Sequence, residues 1–520
     1  MKTIAGADKN RLVRVLAETP LYARSIFAHK THKGNRLIIP EKGFLYDIYT
    51  EKSRDIAIIK STQTGISEYL VGRSIWRAGG GKNVLYILPT YELKNQFVRE
   101  RFDKTIMNSA LFQNEINEEK RLADSTSLKQ FRKGSIVFTG SNSAVGFISH
   151  PCDDIIVDEL DNCNQYNIVM ARERQSASVD KTTVKVSNPT VTNYGIHQEY
   201  LESTKGEWHI KHDACGKWIV PDFFDHVVRK IDDNVYIVRD KQWERDSGKQ
   251  LRPICSCGKT FDRYSHGQWV HAYLKKSKKG YHVSKMFSTY VTLDEMFSTF
   301  EKGLSNETVM QRFYNGDLGF PYVSSGAKLD TVIINECIDE SYNMPLSCKN
   351  PCIAGIDVGS VFHVVISDLS EGKVVFIGTL PVNDISEVKE LFQRYSVKLF
   401  VIDALPETRI VRQIIARNKT GFMSYYGSAK NELTINRNDN IISSNRTISL
   451  DAVKESFVLK SLILPVNART IPDFFDQMTC STRVYDAEKN VFDWVEVGDD
   501  HYFHAYCYML LAKKLLVMAQ

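Results

Sequence analysis

The stretch that decides the fold of the first half of this chain is Asp55-Ile56-Ala57-Ile58-Ile59, followed by Lys60-Ser61-Thr62-Gln63-Thr64-Gly65-Ile66-Ser67. The first part is a short β-branched run that predicts a buried strand. A helical pattern from Glu68 to Trp76 follows the small polar residues. A strand, a small-residue loop and a helix in this order let backbone N–H groups and a helix N-terminus face a phosphate. A Ser/Thr-rich turn that caps a helix is the alternative interpretation.

The loop departs from the usual phosphate-loop pattern, G-x-x-x-x-G-K-[ST]. Gly65 and Ser67 fit this pattern, whereas Lys60 occupies the position of the first Gly and Ile66 that of the usual Lys. A Lys at the front of the loop can reach the same phosphates, and the Ser67 hydroxyl stands where a Mg²⁺ ligand belongs. We therefore predict that residues 60–67 bind a nucleotide.

Two acidic residues follow the buried run Asp154–Val157. Parallel sheets present ligands at the carboxyl ends of their strands, which is where Asp158 and Glu159 are expected. Asp158 is predicted to hold Mg²⁺ through water, and Glu159 to polarise the water that attacks a phosphate. A charged turn after a strand is the alternative.

A polar turn follows the next predicted strand, at Ser187-Asn188-Pro189-Thr190. In nucleotide motors, a polar group at this place can sense the γ-phosphate and couple hydrolysis to movement, although the same tetrapeptide is also an ordinary proline turn. Arg172 and Arg174 lie in the preceding helical segment. Either is a candidate arginine finger, and a solvated surface Arg is the other interpretation.

A second α/β pattern begins at Ile353, with three strand-like runs at 353–358, 363–366 and 373–377 and a later one at 399–402. Asp357 interrupts the first of these, where an unpaired carboxylate would be costly to bury. Asp403 ends the later strand, and Asp499 and Asp500 precede an apolar C-terminal helix. Three carboxylates on adjacent elements can hold two divalent metals about 4 Å apart for phosphodiester cleavage. The order of Asp357, Asp403 and Asp500 predicts an RNase H-like nuclease.

Soft metal ligands occur in two short pairs, His212-x-x-Cys215 and Cys255-x-Cys257. Four such ligands in knuckle-like pairs can bind structural Zn²⁺. His209 or His266 can substitute for any one member, and free cytosolic cysteines are the alternative.

Composition and charge exclude some classes of protein and permit others. Hydrophobic residues make up 43% and charged residues 25%, which excludes a largely disordered, collagen-like or coiled-coil chain. The net charge of +5 permits a nucleic-acid partner if the positive charge is clustered. Charged residues occur among the first residues before any apolar run, so we expect no signal peptide or membrane segment. The ten Cys are scattered along the chain, so we expect the chain to work in a reducing cytosol.

The fold class predicted is α/β with more than one domain. The expected divisions are a P-loop ATPase domain at 1–205, a Cys/His insertion at 206–275, a helical connector at 276–350 and an RNase H-like domain at 351–520.

The order of these motifs resembles the large terminase subunit of tailed bacteriophages, in particular its lambda-like branch. A phosphate loop with Lys at its front and a non-Lys residue before Ser67 is known in that branch. Phe313–Tyr322 is similar to its signature after the ATPase core, and Asp499–Ala505 resembles the family's last nuclease motif. The resemblance extends from about residue 35 to about residue 510, and the order of the short motifs carries it.

The resemblance implies an ATP-driven DNA-packaging motor with a fused endonuclease that uses Mg²⁺ or Mn²⁺. It assigns nucleotide and metal binding to Lys60, Ser67 and Asp158, ATP hydrolysis to Glu159, coupling to residues 187–190, and DNA cleavage to Asp357, Asp403 and Asp500. It also implies double-stranded DNA, a small terminase subunit and the capsid portal protein as partners, a homo-oligomeric ring, and work in the host cytoplasm.

Two positions depart from the family pattern or match it weakly. The family often has Asp where His504 stands, so Asp500 is favoured as the third nuclease acid while Asp499 stays open. Tyr46, just upstream of the first strand, can stack on adenine or pack in a core.

Two other functions share some of these motifs. A helicase–nuclease fusion for DNA repair or defence would need a second recombinase-like lobe, which we do not find between residues 205 and 345. A non-catalytic DNA- or portal-binding scaffold with degenerate motifs would explain the missing Lys at Ile66.

Overall fold

The computed structural model describes residues 18–117, 124–143, 150–232, 235–245, 248–323, 327–427, 433–486 and 491–518. The sequence interpretation of the first residues lies outside these ranges. The chain divides into two compact units, Met1–Tyr322 and Val323–Gln520. Among the described residues, no helix has both the length and the apolar character needed to cross a membrane.

The first unit alternates strands and helices. Its strands are β1 Asp55–Lys60, β2 Asn83–Leu88, β3 Leu128–Gln130, β4 Ser135–Gly140, β5 Asp154–Asp158, β6 Thr182–Ser187, β7 Gly206–Lys211, β8 Trp218–Ile219, β9 Val228–Asp232, β10 Val235–Val238, β11 Gly267–His271 and β12 Lys278–Val283. Its helices are α1 Pro20–Ala28, α2 Phe44–Thr50, α3 Ile66–Gly79, α4 Tyr91–Phe97, α5 Asp103–Asn108, α6 Ala110–Asn117, α7 Gln165–Ala171, α8 Gly195–Leu201, α9 Phe223–His226, α10 Lys241–Arg245, α11 Leu293–Gly303 and α12 Glu307–Arg312. Single turns of 3₁₀ or π helix cover Val98–Phe102, Leu160–Asn162, Arg172–Gln175, Lys285–Phe287 and Phe313–Leu318.

The main sheet of this unit has the strand order β11-β7-β12-β1-β6-β5-β2-β4-β3, with β8 paired to β7. The strands from β12 to β4 run parallel, and the middle ones are buried along almost their whole length. Buried parallel strands need a near-continuous apolar sequence, which is what residues 56–59 and 155–157 supply. The carboxyl ends of β1, β5 and β6 therefore share one edge of the sheet.

The structural elements divide this unit differently from the expected boundaries. Residues 206–275 do not form a separate insertion, because β7 and β11 extend the main sheet. Residues 276–350 are not a connector either, because β12 pairs directly with β1 and the unit boundary follows Tyr322. Residues 206–211 and 267–271 alternate with polar residues and lack the continuous apolar run by which the other strands of this sheet were predicted.

The second unit is built on a seven-stranded sheet of order β16-β15-β14-β17-β18-β20-β19. Its strands are β13 Ile338–Asp339, β14 Cys352–Val358, β15 Val361–Asp368, β16 Val374–Pro381, β17 Val397–Asp403, β18 Gly421–Gly427, β19 Leu433–Asn436, β20 Ile441–Asn445, β21 Leu464–Pro465, β22 Ser481–Asp486 and β23 Val491–Glu496. Its helices are α13 Thr331–Glu336, α14 Ile385–Arg394, α15 Thr408–Asn418, α16 Arg446–Val458, α17 Phe474–Thr479 and α18 His501–Val517, with a 3₁₀ segment at Val466–Thr470. The antiparallel β14–β15–β16 meander continued by parallel β17 confirms the predicted α/β class.

Helix α18 packs closely on β14 at Gly355. A Cβ placed there would lie 2.0 Å from the Ala505 carbonyl oxygen and 2.2 Å from the Met509 nitrogen, both in the helix backbone. Only a residue without a side chain lets the helix approach this closely, and this approach sets the distance of the helix start from the neighbouring Asp357.

A Gly355→Ala variant is expected to lose about 1–3 kcal/mol of unfolding free energy, because overpacking forces α18 away from the sheet. Urea unfolding followed by circular dichroism measures the loss. Gly498→Ala is the control, since its added carbon meets nothing closer than the Cys480 Cβ at 3.8 Å. Equal stabilities of the two variants would contradict the close packing described for α18.

Candidate nucleotide and metal sites

The predicted phosphate loop lies where β1 ends and α3 begins. Two neighbouring segments hold its backbone: Ser61 N–H donates to the Val283 carbonyl (2.7 Å), and Thr62 N–H donates to the Gly316 carbonyl (2.8 Å). Of the predicted loop residues, Ser61, Thr64 and Ile66 are buried, Gly65 and Ser67 are half-buried, and Thr62 and Gln63 are exposed. The start of α3 is thus held in a fixed loop with polar groups on its open side.

Lys60 connects three of the predicted motifs. Its buried Nζ donates to Oε1 of Glu159 (2.9 Å) and to Oδ1 of Asn188 (3.0 Å). Burial opposes its charge, but the carboxylates of Glu159 and Asp158 raise the pKa of Lys60 above its ordinary value. The front of the loop, the acidic strand end and the predicted coupling turn at residues 187–190 (the coupling turn below) therefore meet at one ammonium group.

Asp158 has a carboxylate that suits a cation. Tyr86 donates its hydroxyl to Oδ2 (2.9 Å), while the buried Oδ1 has no hydrogen-bond partner among the described residues. Burial and the charge of Glu159 raise the pKa of Asp158 to about 6. Adjacent Glu159 has a left-handed φ of 57°, an uncommon conformation for a non-glycine residue. An unpaired buried oxygen beside a second carboxylate fits a divalent cation, with the half-buried Ser67 hydroxyl as a further ligand candidate.

Asp161 contacts the candidate site through hydrogen bonds, and sequence reasoning did not select it. Its Oδ2 accepts hydrogen bonds from the Thr190 N–H (2.7 Å) and hydroxyl (2.8 Å), and its Oδ1 accepts from the Ile196 N–H (2.7 Å). Its own N–H donates to the Ser187 hydroxyl (3.2 Å). Asp161 therefore ties the turn after β5 to the coupling turn. In the sequence it is one more acid in a polar turn, so no pattern singled it out.

The coupling turn also contacts the segment that ends the first unit. Asn188 donates from Nδ2 to the Asn315 carbonyl (3.2 Å), and Asn315 donates from its own Nδ2 to the Thr190 carbonyl (3.3 Å). Tyr322 N–H donates to the same carbonyl (3.2 Å). Pro189, which has no N–H to donate, is buried between these contacts.

The free energy of unfolding should fall as pH rises, because Asp161 is harder to deprotonate in the folded chain than in the unfolded chain. Burial raises its pKa to about 7 in spite of the hydrogen bonds from Ile196 and Thr190, whereas an unfolded Asp titrates near about 3.9. The folded chain thus keeps a proton that the unfolded chain releases, and this stability contribution is lost between about pH 4 and about pH 7. Asp161→Asn is expected to flatten this part of the pH dependence, measured by urea unfolding at several pH values. A slope equal to that of wild type, or an equal flattening in the exposed-residue control Glu301→Gln, would contradict this assignment.

The two candidate arginine fingers do not reach the loop of their own chain. Arg172 lies 3.7 Å from Asp55, at the amino end of β1 and thus at the edge of the sheet opposite the loop. Arg174 lies 3.5 Å from Glu173 in the same segment. Arg101, which sequence reasoning did not select, has a charge that acts on the pKa values of both Lys60 and Asp158.

Tyr46 lies in α2, beside the loop. Its ring packs edge-to-face on Tyr22, with 4.8 Å between centroids, and against the main core. The neighbouring Leu45 comes within 3.4 Å of a Cβ built on Gly65. Tyr46 therefore has the packing role named as its alternative, and adenine stacking stays a prediction.

The second unit brings two of the predicted nuclease acids together. Gly355 pairs with Val401 and Ile356 with Ile402 in the parallel β14–β17 ladder, so Asp357 and Asp403 are the next neighbours along it. Burial and the negative charge of Asp357 raise the pKa of Asp403 to about 6.

Histidines complete the surroundings of Asp357. Nδ1 of His501 lies 2.8 Å from Asp357 Oδ2, and the His501 ring stacks on His363 with 4.6 Å between centroids. One ligand atom from each of these three residues lies within 4.8 Å of the others. Both histidines were missed, although a His inside the apolar run 361–368 is a signal that could have been used.

Asp500 is buried and belongs to a neighbouring group. It accepts a hydrogen bond from the Ser481 hydroxyl (2.6 Å) and lies 3.3 Å from His504 Nε2. A group of Glu496, Asp500 and His504 has ligand atoms within 4.8 Å, whereas no such three-acid group of Asp357, Asp403 and Asp500 occurs among the described residues. Asp499 is exposed. The expected single cluster of three acids is thus two adjacent groups that include histidines.

The predicted Cys/His residues form one cluster. Ligand atoms of His212, Cys215, Cys255 and Cys257 all lie within 4.8 Å of one another. His209 and His266, the possible substitutes, are not members of it.

Comparison with known proteins finds similarity to phage large terminases. Residues 41–262 match the profile of the family described as phage terminase large subunit gpA, ATPase domain. The whole chain has the fold of the HK97 bacteriophage large terminase, with a TM-score of 0.50 and 11% identity over 96% of this chain and 99% of that one. The large terminase ATPase domain of Thermus phage P74-26 aligns with a TM-score of 0.33 and 10% identity over 55% of this chain and 94% of that one. The large terminase nuclease of thermophilic phage G20c aligns with a TM-score of 0.23 and 13% identity over 31% of this chain and 82% of that one.

No curated protein matches the chain. The matched residues include the loop at Lys60 and the acidic strand end at Glu159, the two halves of the candidate nucleotide site. The match assigns residues 41–262 to the ATPase domain of phage terminase large subunits.

Proposed function

We propose that this subunit hydrolyses ATP at residues 60–67 and uses the reaction to translocate double-stranded DNA into a capsid. The observation that supports the proposal is the position of Lys60 Nζ, within hydrogen-bond distance of both Glu159 and Asn188. When ATP enters, its γ-phosphate competes for Lys60, and Glu159 is released to orient the attacking water. Lys60 then stabilises the charge that develops on the phosphate.

Asp158 and Ser67 would hold Mg²⁺ with the nucleotide, as the unpaired Asp158 oxygen suggests. The cation would neutralise phosphate charge during transfer. The remaining work falls to the chain itself: Tyr86 fixes one Asp158 oxygen, and the loop contacts of Ser61 and Thr62 hold the start of α3 in place.

Coupling to DNA movement would run through Asn188. Loss of the γ-phosphate returns Lys60 to Glu159 and Asn188, and Asn188 is bonded to Asn315. Asp161 holds the other end of the turn at Thr190. The segment 313–322 is bonded to the turn at both Asn188 and Thr190, so a displacement of the turn would be passed to this segment.

DNA-stimulated ATP turnover of the full chain tests the motor. Because the DNA contacts would be mostly to phosphate, the stimulation should fall steeply as salt rises and depend little on sequence. Turnover without any DNA stimulation would contradict the motor, and no turnover at all would favour a scaffold. Unwinding of a forked duplex would favour a helicase–nuclease fusion, and none is expected.

We also propose that the second unit cuts concatemeric DNA with Mg²⁺ or Mn²⁺. Asp357 and Asp403, neighbours on parallel strands, would be the shared ligands, and the start of α18 would supply the third from Asp500, His501 or His504. Paired divalent ions activate water and stabilise the leaving oxygen. Carboxylate and imidazole ligands around buried Asp357 are consistent with this chemistry.

The partners we propose follow from this activity. A small terminase subunit would select the cleavage site, the portal protein would receive the DNA, and a homo-oligomeric ring would assemble transiently on the procapsid in the host cytoplasm. A pull-down of the full chain with purified portal and small subunit tests these contacts.

A further inference from the structure

We propose that His212, Cys215, Cys255 and Cys257 bind one structural Zn²⁺, which joins the β7–β8 hairpin to the turn at residues 254–260. The two pairs are distant in sequence but meet in space, with Cys215 Sγ 3.9 Å from Cys255 Sγ. The site is separate from both sites of the proposed function, because neither the nucleotide loop nor the nuclease acids contribute a ligand atom to it.

The distances between the ligand atoms are close to the edges of a zinc tetrahedron. With Zn–S of about 2.3 Å and Zn–N of about 2.0–2.1 Å, tetrahedral angles give S···S of about 3.8 Å and N···S of about 3.6 Å. The structure has Cys215 Sγ to Cys255 Sγ at 3.9 Å, and His212 Nδ1 to Cys257 Sγ at 3.7 Å and to Cys215 Sγ at 3.2 Å. The first two distances agree with these edges to about 0.1 Å and the third is about 0.4 Å shorter, and all four ligand atoms lie within 4.8 Å of one another.

His212 is oriented as a metal ligand. Its Nε2 lies 3.2 Å from the Thr260 carbonyl oxygen, so the ring proton resides on Nε2 and the lone pair of Nδ1 faces the sulfurs. Zinc-binding histidines are fixed in the same way, by donating the other ring N–H to a carbonyl or carboxylate. His212 is buried, and its ring packs beside Phe261.

The two ligand turns are alike in sequence and backbone. Cys215-Gly216-Lys217 and Cys257-Gly258-Lys259 have the same three residues. In each turn the first ligand's N–H donates to the carbonyl of that Lys, His212 to Lys217 (2.8 Å) and Cys255 to Lys259 (2.9 Å). Each Gly has a left-handed φ, 69° and 83°. Two equivalent turns that point their side chains at one centre are an arrangement that metal binding explains, and free thiols do not require it.

The ion would have a structural role. Four protein ligands leave no open position, which is the mark of a structural rather than a catalytic zinc site. Cys255 and Phe261 belong to the main core of the first unit, so the ion would fix the segment between β7 and β11 on that core. β7 and β11 are paired with each other at one edge of the main sheet.

Metal analysis of the full chain, purified under reducing conditions, tests the proposal. We expect about one zinc per chain for wild type and less than about a tenth of that for Cys215→Ser and Cys257→Ser, because structural sites need all four ligands. Cys348→Ser is the control, since this half-exposed cysteine lies outside the cluster, and it should keep its zinc. Zinc far below one per wild-type chain after incubation with Zn²⁺ would overturn the proposal, as would full zinc in both cluster variants.

Two measurements on wild type guard against variants that fail to fold. A thiol-binding mercurial should release the zinc, which a chromogenic chelator detects. Co²⁺ in place of Zn²⁺ should give the visible bands of a tetrahedral thiolate site. An octahedral Co²⁺ spectrum, or zinc that stays bound after all thiols react, would show that other residues hold the ion. ATP turnover is read separately, so loss of zinc binding and failure of the motor proposal are distinguishable.

Discussion

Replacing Glu159 with glutamine is expected to slow ATP turnover by about 10²- to 10⁴-fold, the usual contribution of a general base. Its carboxylate lies at the carboxyl end of β5, 2.9 Å from Lys60 Nζ, and 27% of its side-chain surface is exposed. Glutamine keeps the shape but cannot accept a proton. Steady-state phosphate release with saturating DNA measures the loss.

The Glu159→Gln variant should keep ATP binding while it loses ATP turnover. The loop and Lys60 remain intact, so a fluorescent ATP analogue should bind Glu159→Gln about as well as wild type. Lys60→Ala, in contrast, should lose both binding and turnover because it removes the buried cation. Glu301→Gln, an exposed acid in α11, is the matched control and should leave both unchanged. Wild-type turnover in Glu159→Gln would refute the assigned role.

Asp357→Asn and Asp403→Asn should each reduce Mn²⁺-dependent plasmid cleavage by at least about 10³-fold. Metal ions contribute several kcal/mol to such reactions, and each 1.36 kcal/mol is about tenfold in rate. Both residues end or interrupt buried strands of the second unit, so ATP turnover by the first unit should persist. Supercoiled plasmid on a gel gives the cleavage rate.

The third ligand can be identified in the same assay. Asp500→Asn, His501→Ala and His504→Ala each remove one candidate at the start of α18. The residue is identified as the ligand if its variant cleaves much more slowly and its residual cleavage requires a much higher Mn²⁺ concentration. Glu390→Gln, exposed in α14, is the control. Cleavage that persists in both Asp357→Asn and Asp403→Asn would refute the acid pair.

Much of the fold was readable because its elements are local. The run 55–67 specifies strand, loop and helix within thirteen consecutive residues, and the structure has β1 and α3 in those places. The acids at 158, 357 and 403 were predicted as site residues because each follows or interrupts an apolar strand. Position relative to a strand end was the signal used for them.

What escaped prediction depends on contacts between distant segments. Asp161 is a site residue only because Thr190 and Ile196 fold back onto it. His501 reaches Asp357 only because Gly355 allows α18 to lie against β14. The place of β12 beside β1 joins residues more than two hundred positions apart, which no periodicity can reveal.

The last residues of the first unit connect the predicted phosphate loop to the point where the chain enters the second unit. Gly316 receives a hydrogen bond from the loop at Thr62, and Tyr322, six residues later, is bonded to the turn at Thr190. Tyr322 is also where the polypeptide passes into its second unit. On the proposed function, a rearrangement of the loop or of the turn at Thr190 would therefore reach the first residue of the second unit through the main chain itself.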